Sequence, residues 1–228
     1  MASAKPDFAL PPQTVLHAHY LLGDTLGGGA LGITYRAVQL DAPARGKVVA
    51  VKEFFPRALA VRAADGSVQP MPKGAADFAL YCAQFVHGYR VLRAKANCPA
   101  LVPLLDLFEQ NGTAYVVMAY IEGETLLQRV EAHGAIPPRA LMRMMRPFLH
   151  DLAALHRRQI IHRAIMPENI LLRELAGVGV LSAGANLPRQ TRQLDGRVRP
   201  LCDDVLRPDR PQTAGCHDAP VRRKIWQG

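Results

Sequence analysis

Several features that would point to a simple answer are scarce in this chain. Only 6% of its 228 residues are aromatic, and its four cysteines, Cys82, Cys98, Cys202 and Cys216, form no CxxC pair, which leaves out a zinc ribbon and a thioredoxin-type site. Cys216-His217 is a lone adjacent pair, better read as incidental than as a ligand set, so no metal site is expected. This cysteine spacing fits a reducing compartment. The N-terminal MASAKPDFALPPQ lacks the apolar core of a signal peptide. The longest apolar run, Tyr115 to Ile121, is far too short to span a bilayer. A cytoplasmic protein without a membrane partner is therefore expected.

No run of five like charges occurs, although Lys and Arg total 28 against 19 Asp and Glu, a net +9. A charge so dispersed describes a basic surface rather than a nucleic-acid interface. With 49% hydrophobic and 21% charged residues the chain can bury a core, and its length fits one domain or two small lobes. The 18 Gly and 18 Pro imply long irregular stretches.

From Tyr20 the sequence turns to short β-rich runs. Tyr20–Leu26 leads into GGGALG (Gly27 to Gly32), and Ile33–Val38 follows. Gly27, Gly29 and Gly32 fit GxGxxG. A dinucleotide fingerprint needs a helix directly after these glycines, but Ile33-Thr34-Tyr35 favours a strand. The element is strand–glycine loop–strand, a flap whose backbone N–H groups can approach phosphates. An ordinary glycine-rich hairpin is the plainer alternative. The next strand, Val48 to Pro56, carries Lys52 at the end of an apolar run, where a cation is costly unless it meets an anion. Strand alternation puts Ala50 and Lys52 on one face and points Glu53 away. Lys52 then lies under the flap.

Glycine flap and lysine together resemble the N-lobe of protein kinases; GGGALGITY followed by VAVKEFFP looks like the bacterial Hanks-type serine/threonine branch. Ala76–Ala96 has a helical apolar stripe, Phe78, Tyr81, Phe85, Tyr89 and Leu92, where kinases place their αC helix. Leu101–Phe108 and Thr113–Ile121 read as strands joined by a turn at Asn111-Gly112. Met118 takes the gatekeeper position and Ala119, Tyr120 and Ile121 the hinge. Pro138–Arg158 reads as an amphipathic helix that Pro147 should kink. Ile160 to Leu172 then looks like the catalytic loop.

The resemblance departs from the family at its acids. The catalytic Asp falls on Ala164, the phosphate-contacting Lys on Met166, and the metal-holding Asp of the DFG triplet on Ser182. The αC Glu falls on Gly88, or on Tyr89 with a slip of one, and no Asp or Glu lies between Asp77 and Asp106. Loss of the acid–base group alone costs roughly 10² to 10⁴ in rate, and a hydroxyl cannot replace a carboxylate as the main Mg²⁺ anchor. His162 reads as a packing residue of its loop.

The fold expected is α+β, a protein kinase-like two-lobe fold: an antiparallel-sheet N-lobe with an αC helix and a truncated, mainly helical C-lobe. Its parts are a flexible leader at 1–13, the N-lobe and hinge at 14–121, a partial C-lobe with degenerate catalytic loop at 122–186, and an irregular basic tail at 187–228. The resemblance implies a pseudokinase acting as a regulatory or scaffolding module with no catalytic residues. A residual kinase and a non-functional remnant stand as alternatives. It implies a nucleotide site of Leu26, Gly27, Gly29, Gly32, Thr34, Ala50, Lys52, Met118, Tyr120, Ile121 and Asn169. ATP is the implied cofactor, weakly held, with Mg²⁺ not expected to bind strongly. A protein partner or homodimer, or the tail folding back, should cover the apolar helix face that later kinase helices normally cover.

Overall fold

A computed structural model of the chain describes residues 8–41, 46–95, 101–158, 160, 165–175, 178–183, 191–194 and 197–200. Its larger unit is residues 1–189, and residues 190–228 form a second.

Six antiparallel strands open the first unit: β1 (Val15–Leu16), β2 (Tyr20–Gly29), β3 (Gly32–Gln39), β4 (Lys47–Phe54), and then, beyond an intervening hairpin and helix, β7 (Leu104–Gln110) and β8 (Thr113–Ala119). They are ordered β1-β2-β3-β4-β8-β7. Asn111 and Gly112 close the β7–β8 hairpin at φ 52° and 71°, as an Asn-Gly turn should. The sheet curls until its ends meet. Tyr20 of β2 stacks on Phe108 of β7 at 5.8 Å and donates to Asp106 Oδ2 at 3.0 Å. The His17 backbone N–H donates to Gln110 Oε1 at 2.8 Å.

Between β4 and β7 lie the hairpin β5 (Ala60–Arg62) and β6 (Val68–Pro70), a 3₁₀ turn (Pro72–Gly74) and helix α1 (Ala75–Lys95). Of the expected stripe, Phe78, Phe85, Tyr89 and Leu92 are buried and Tyr81 is half-buried. Phe54 of β4 receives Phe78 and Phe85 at ring separations of 5.5 and 5.2 Å. The helix therefore covers the face of the sheet that Phe54 shares with Lys52.

The second lobe holds β9 (Glu124–Thr125), α2 (Leu126–His133), α3 (Pro138–Arg157), a 3₁₀ turn (Pro167–Asn169), β10 (Ile170–Leu175) and β11 (Val178–Ala183). A capping box starts α2. Thr125 Oγ1 accepts from the Gln128 N–H at 3.1 Å and Gln128 Oε1 from the Thr125 N–H at 2.8 Å. Gly123 sits at φ 153°, where a Cβ would come within 2.2 Å of the Leu172 carbonyl oxygen. Phe148 and Leu155 are the buried residues of α3, which runs as one helix through Pro147. Met142 and Leu149 remain exposed on it. Among the described residues no helix is long and apolar enough to cross a membrane.

The leader and the tail differ in detail from the sequence reading, as does the stretch that forms the β5–β6 hairpin. Within the leader, residues 8–13 are held: Leu10 is buried, Phe8 stacks on Phe55 at 5.5 Å, and the Gln13 N–H donates to the Leu22 carbonyl at 2.7 Å. In the second unit, β12 (Thr191–Leu194) pairs with β13 (Arg197–Pro200) where an irregular tail was expected. The residues between them are Asp195-Gly196, a strong hairpin signal.

Candidate functional site: the cleft face of the curled sheet

Cross-strand partners share a face, so the ladder itself assembles the site. Thr34 pairs with Lys52 and Lys52 with Val116, while Arg36 pairs with Ala50 and Ala50 with Met118. Thr34, Ala50, Lys52 and Met118 therefore stand side by side. The glycine hairpin continues the ladder beside them: Gly27 pairs with Thr34 and Gly29 with Gly32. Register shifts on both sides of Thr25 leave Leu26 outside the ladder and exposed.

The glycines divide into two kinds. At Gly32 a Cβ would lie 2.3 Å from the Glu53 carbonyl oxygen, so packing alone demands glycine. At Gly27 and Gly29 a Cβ would meet nothing within 4 Å. None of the three has a left-handed backbone. At Gly27 and Gly29 nothing in the fold asks for glycine, which leaves close approach by a ligand as a reason for it.

Lys52 is only partly exposed, and burial pushes its ammonium down to about 8. Its ordinary counter-charge in the family would come from α1, which has Asp77 in its first turn and no acidic residue after it. Tyr89, beside Gly88, is buried, and burial pushes its hydroxyl well above the usual tyrosine range.

At the hinge, Met118 is buried while Tyr120 and Ile121 are partly exposed. The guanidinium of Arg36 lies 5.7 Å from the Tyr120 ring centroid, a cation–π contact joining the β3 strand to the hinge. Asn169 belongs to a different element: it ends the 3₁₀ turn before β10, its N–H bonded to the Met166 carbonyl at 2.9 Å. Ser182 pairs with Leu171 in the β10–β11 ladder. His162 and Ala164 lie outside the described residues. Among the described residues no group of three or more His, Cys, Asp or Glu could hold a metal ion.

Sequence reasoning missed what lies beneath. Glu53, placed only as pointing away from Lys52, is fully buried on the opposite face. Arg62 grips both its oxygens, from Nη1 at 2.9 Å and Nη2 at 2.6 Å. Tyr35 and Tyr115 donate to it at 2.8 and 2.9 Å. The available signal was alternation: Val49, Val51 and Glu53 share one buried register, and an acid there needs a partner.

A curled antiparallel sheet with a lysine strand, a glycine turn and one long packed helix, joined by a hinge to a helical lobe, is the protein kinase fold. Residues 20–180 match the family of the protein kinase domain, and the chain belongs to it as a Hanks-type kinase-like domain. Among its relatives, the serine/threonine-protein kinase PknL of Mycobacterium tuberculosis is 38% identical over 131 residues, 48% of this chain and 32% of that protein. PrkC of Bacillus subtilis is 35% identical over 86 residues, 38% of this chain and 13% of that kinase. PknA of a Nostoc species is 27% identical over 170 residues, 74% and 28% respectively. The chain thus spans about a third or less of these relatives' length. Among solved structures, the apo form of PpkA-294 is similar with a TM-score of 0.69 and 26% identity, over 77% of this chain and 61% of that one.

Proposed function

We infer that this chain is a pseudokinase: a module that holds ATP, or a similar nucleoside polyphosphate, in its cleft without conventional phosphoryl transfer, and that acts through a protein partner or a second copy. The supporting observation is a contrast. The sheet face that would receive a nucleotide is assembled, with Thr34, Ala50, Lys52 and Met118 in one ladder, while Gly88, Ala164 and Ser182 stand at the three acidic positions. Phosphoryl transfer rests on positioning and on charge stabilisation by metal ions. A cleft with a lysine but without those carboxylates suits an anion better than an anion with its Mg²⁺. Asn169 would offer a neutral amide to a cation.

A thermal-shift titration with ATP, with Mg²⁺ or with EDTA, tests this. The expected result is a shift that survives EDTA and disappears in Lys52→Ala, whose affinity should fall at least ~10-fold, about 1.4 kcal/mol. A strictly metal-dependent shift together with phosphate transfer abolished by Lys52→Ala would establish the residual-kinase alternative instead. No shift in either condition would remove nucleotide binding.

The affinity should also depend on pH. Lys52 attracts phosphate only when protonated, so binding is expected to weaken as pH rises through about 8. Stability runs the other way. Folded Lys52 gives up its proton near 8 and an unfolded lysine near 10.5, so the unfolded state binds more protons between those values. Stability therefore rises with pH across that window, and the cost of the buried cation is fully present below it. Fluorescent-nucleotide titrations between pH 6.5 and 9.5 should show the loss in the protein and not in Lys52→Ala.

A further inference from the structure

We propose that the buried Glu53–Arg62 pair, with Tyr35 and Tyr115, is a positioning device for the cleft. From the outer side of the sheet it sets the strand that carries Lys52 and the start of α1. The proposal rests on reading the Lys52 face as the nucleotide site.

Adjacent strand residues point to opposite faces, so a residue that fixes Glu53 also fixes the backbone from which Lys52 departs. Glu53 receives four donors on two oxygens. Two come from the Arg62 fork, one from Tyr35 of β3 and one from Tyr115 of β8. One carboxylate thus ties the three central strands and the β5–β6 hairpin. Arg62 extends the tie: its Nε donates to the Phe8 carbonyl at 2.7 Å, Nη1 to the Gly66 carbonyl at 2.9 Å, and its guanidinium lies 4.7 Å from the Phe55 ring centroid. Tyr35 accepts from the Leu10 N–H at 3.0 Å.

The hairpin then passes this constraint to the helix. The Met71 N–H donates to the Leu59 carbonyl at 2.8 Å, and at Gly74 a Cβ would lie 3.0 Å from Leu59 Cδ2. Helix α1 begins at the next residue, and Phe78 on its first turn returns to Phe54 of the strand the chain had left. Glu53 holds the hairpin on one face and neighbouring Phe54 holds the helix on the other. The chain from 53 to 78 is a closed strut.

The test is the pH profile of Lys52 acetylation by an N-hydroxysuccinimide ester, read by mass spectrometry on the full chain, with amide hydrogen exchange alongside. In the wild type the profile should have its midpoint near 8. In Arg62→Met the midpoint should move at least half a unit towards the free-lysine value, and exchange should quicken at least threefold in 47–54 and 75–95 with α3 unchanged. Arg62→Lys, which keeps the charge without the fork, should restore part of the wild-type profile. A folded Arg62→Met with an unmoved midpoint and unmoved exchange overturns the proposal. If Arg62→Met does not fold, Tyr115→Phe, which removes a single donor, should move both readouts in the same direction, and no movement overturns it. Protection of Lys52 from acetylation by ATP in the wild type is read separately. Its failure, beside a shifted Arg62→Met midpoint, would remove the nucleotide reading and leave the coupling standing.

Discussion

Replacing Glu53 with alanine is expected to lower the unfolding free energy by about 3–5 kcal/mol, because it strands a buried cation. Arg62 is 10% exposed at its side chain, and Glu53 is the partner of its salt bridge. Burial works against the guanidinium charge, and the Glu53 hydrogen bonds and charge override it, holding Arg62 above its ordinary value. The same substitution removes the acceptor of two buried tyrosine hydroxyls, each lost partner costing about 1–3 kcal/mol, though such terms do not simply add. Against a typical domain stability of about 5–15 kcal/mol, the variant should be close to unfolding at 37 °C. Glu53→Gln should fall between, since its amide keeps one acceptor but turns an NH₂ towards the donors of Arg62. The double variant Glu53→Leu with Arg62→Met should recover much of the loss, as exchange of a buried ion pair for apolar residues of similar volume often does. Urea denaturation of the four proteins measures this. A Glu53→Ala midpoint shift worth less than about 1 kcal/mol would show that the pair is not the keystone of this face.

That pair also marks where the sequence stopped being legible. The cleft side was readable because each element carries its own signal: β-branched runs for the strands, Asn111-Gly112 for the hairpin, and the Phe78–Phe85–Leu92 stripe for α1. The glycines and Lys52 then fell into register because the strands did. The outer side had no such signals. The strands of the β5–β6 hairpin are three residues each, Ala60–Arg62 and Val68–Pro70, too short for any period to appear. What makes them strands is tertiary: Arg62 on Glu53, and the Val68 N–H on the Asn111 carbonyl at 2.7 Å. Phe8 and Leu10 read as part of a leader because prolines surround them. Yet proline carries no N–H in need of a partner, so a few contacts suffice to hold such a segment along the sheet, among them the Leu10 N–H on the Tyr35 hydroxyl and the Gln13 N–H on the Leu22 carbonyl. The residues at the family's acidic positions could be read off the sequence, and the Glu53–Arg62 cluster behind the lysine strand could not, because its members are nine and more residues apart and share no local pattern.

Alanine at Gly32 and alanine at Gly27 or Gly29 should have opposite consequences for stability, and the comparison separates fold from function within a single loop. At Gly32 the new Cβ would lie 2.3 Å from the backbone oxygen of Glu53. Backbone cannot swing aside as a side chain can, so β4 must move, although the Phe55 N–H holds the Leu31 carbonyl at 3.0 Å beside it. Overpacking of this kind costs about 1–3 kcal/mol, and the displaced strand carries both Lys52 and Glu53. Gly32→Ala should therefore lose stability and nucleotide affinity together. At Gly27 and Gly29 the added methyl meets nothing within 4 Å, and an ordinary backbone angle lets alanine restrict the unfolded chain, a gain of about 0.4–1 kcal/mol. Those variants should keep or slightly raise Tm. Should a phosphate use the space their glycines leave open, affinity for an ATP analogue in EDTA will nevertheless fall, by roughly threefold to tenfold, or about 0.7–1.4 kcal/mol. Unchanged affinity in both variants would mean that the open space over the lysine receives no phosphate, and Gly32 alone would account for the loop as an element of the fold.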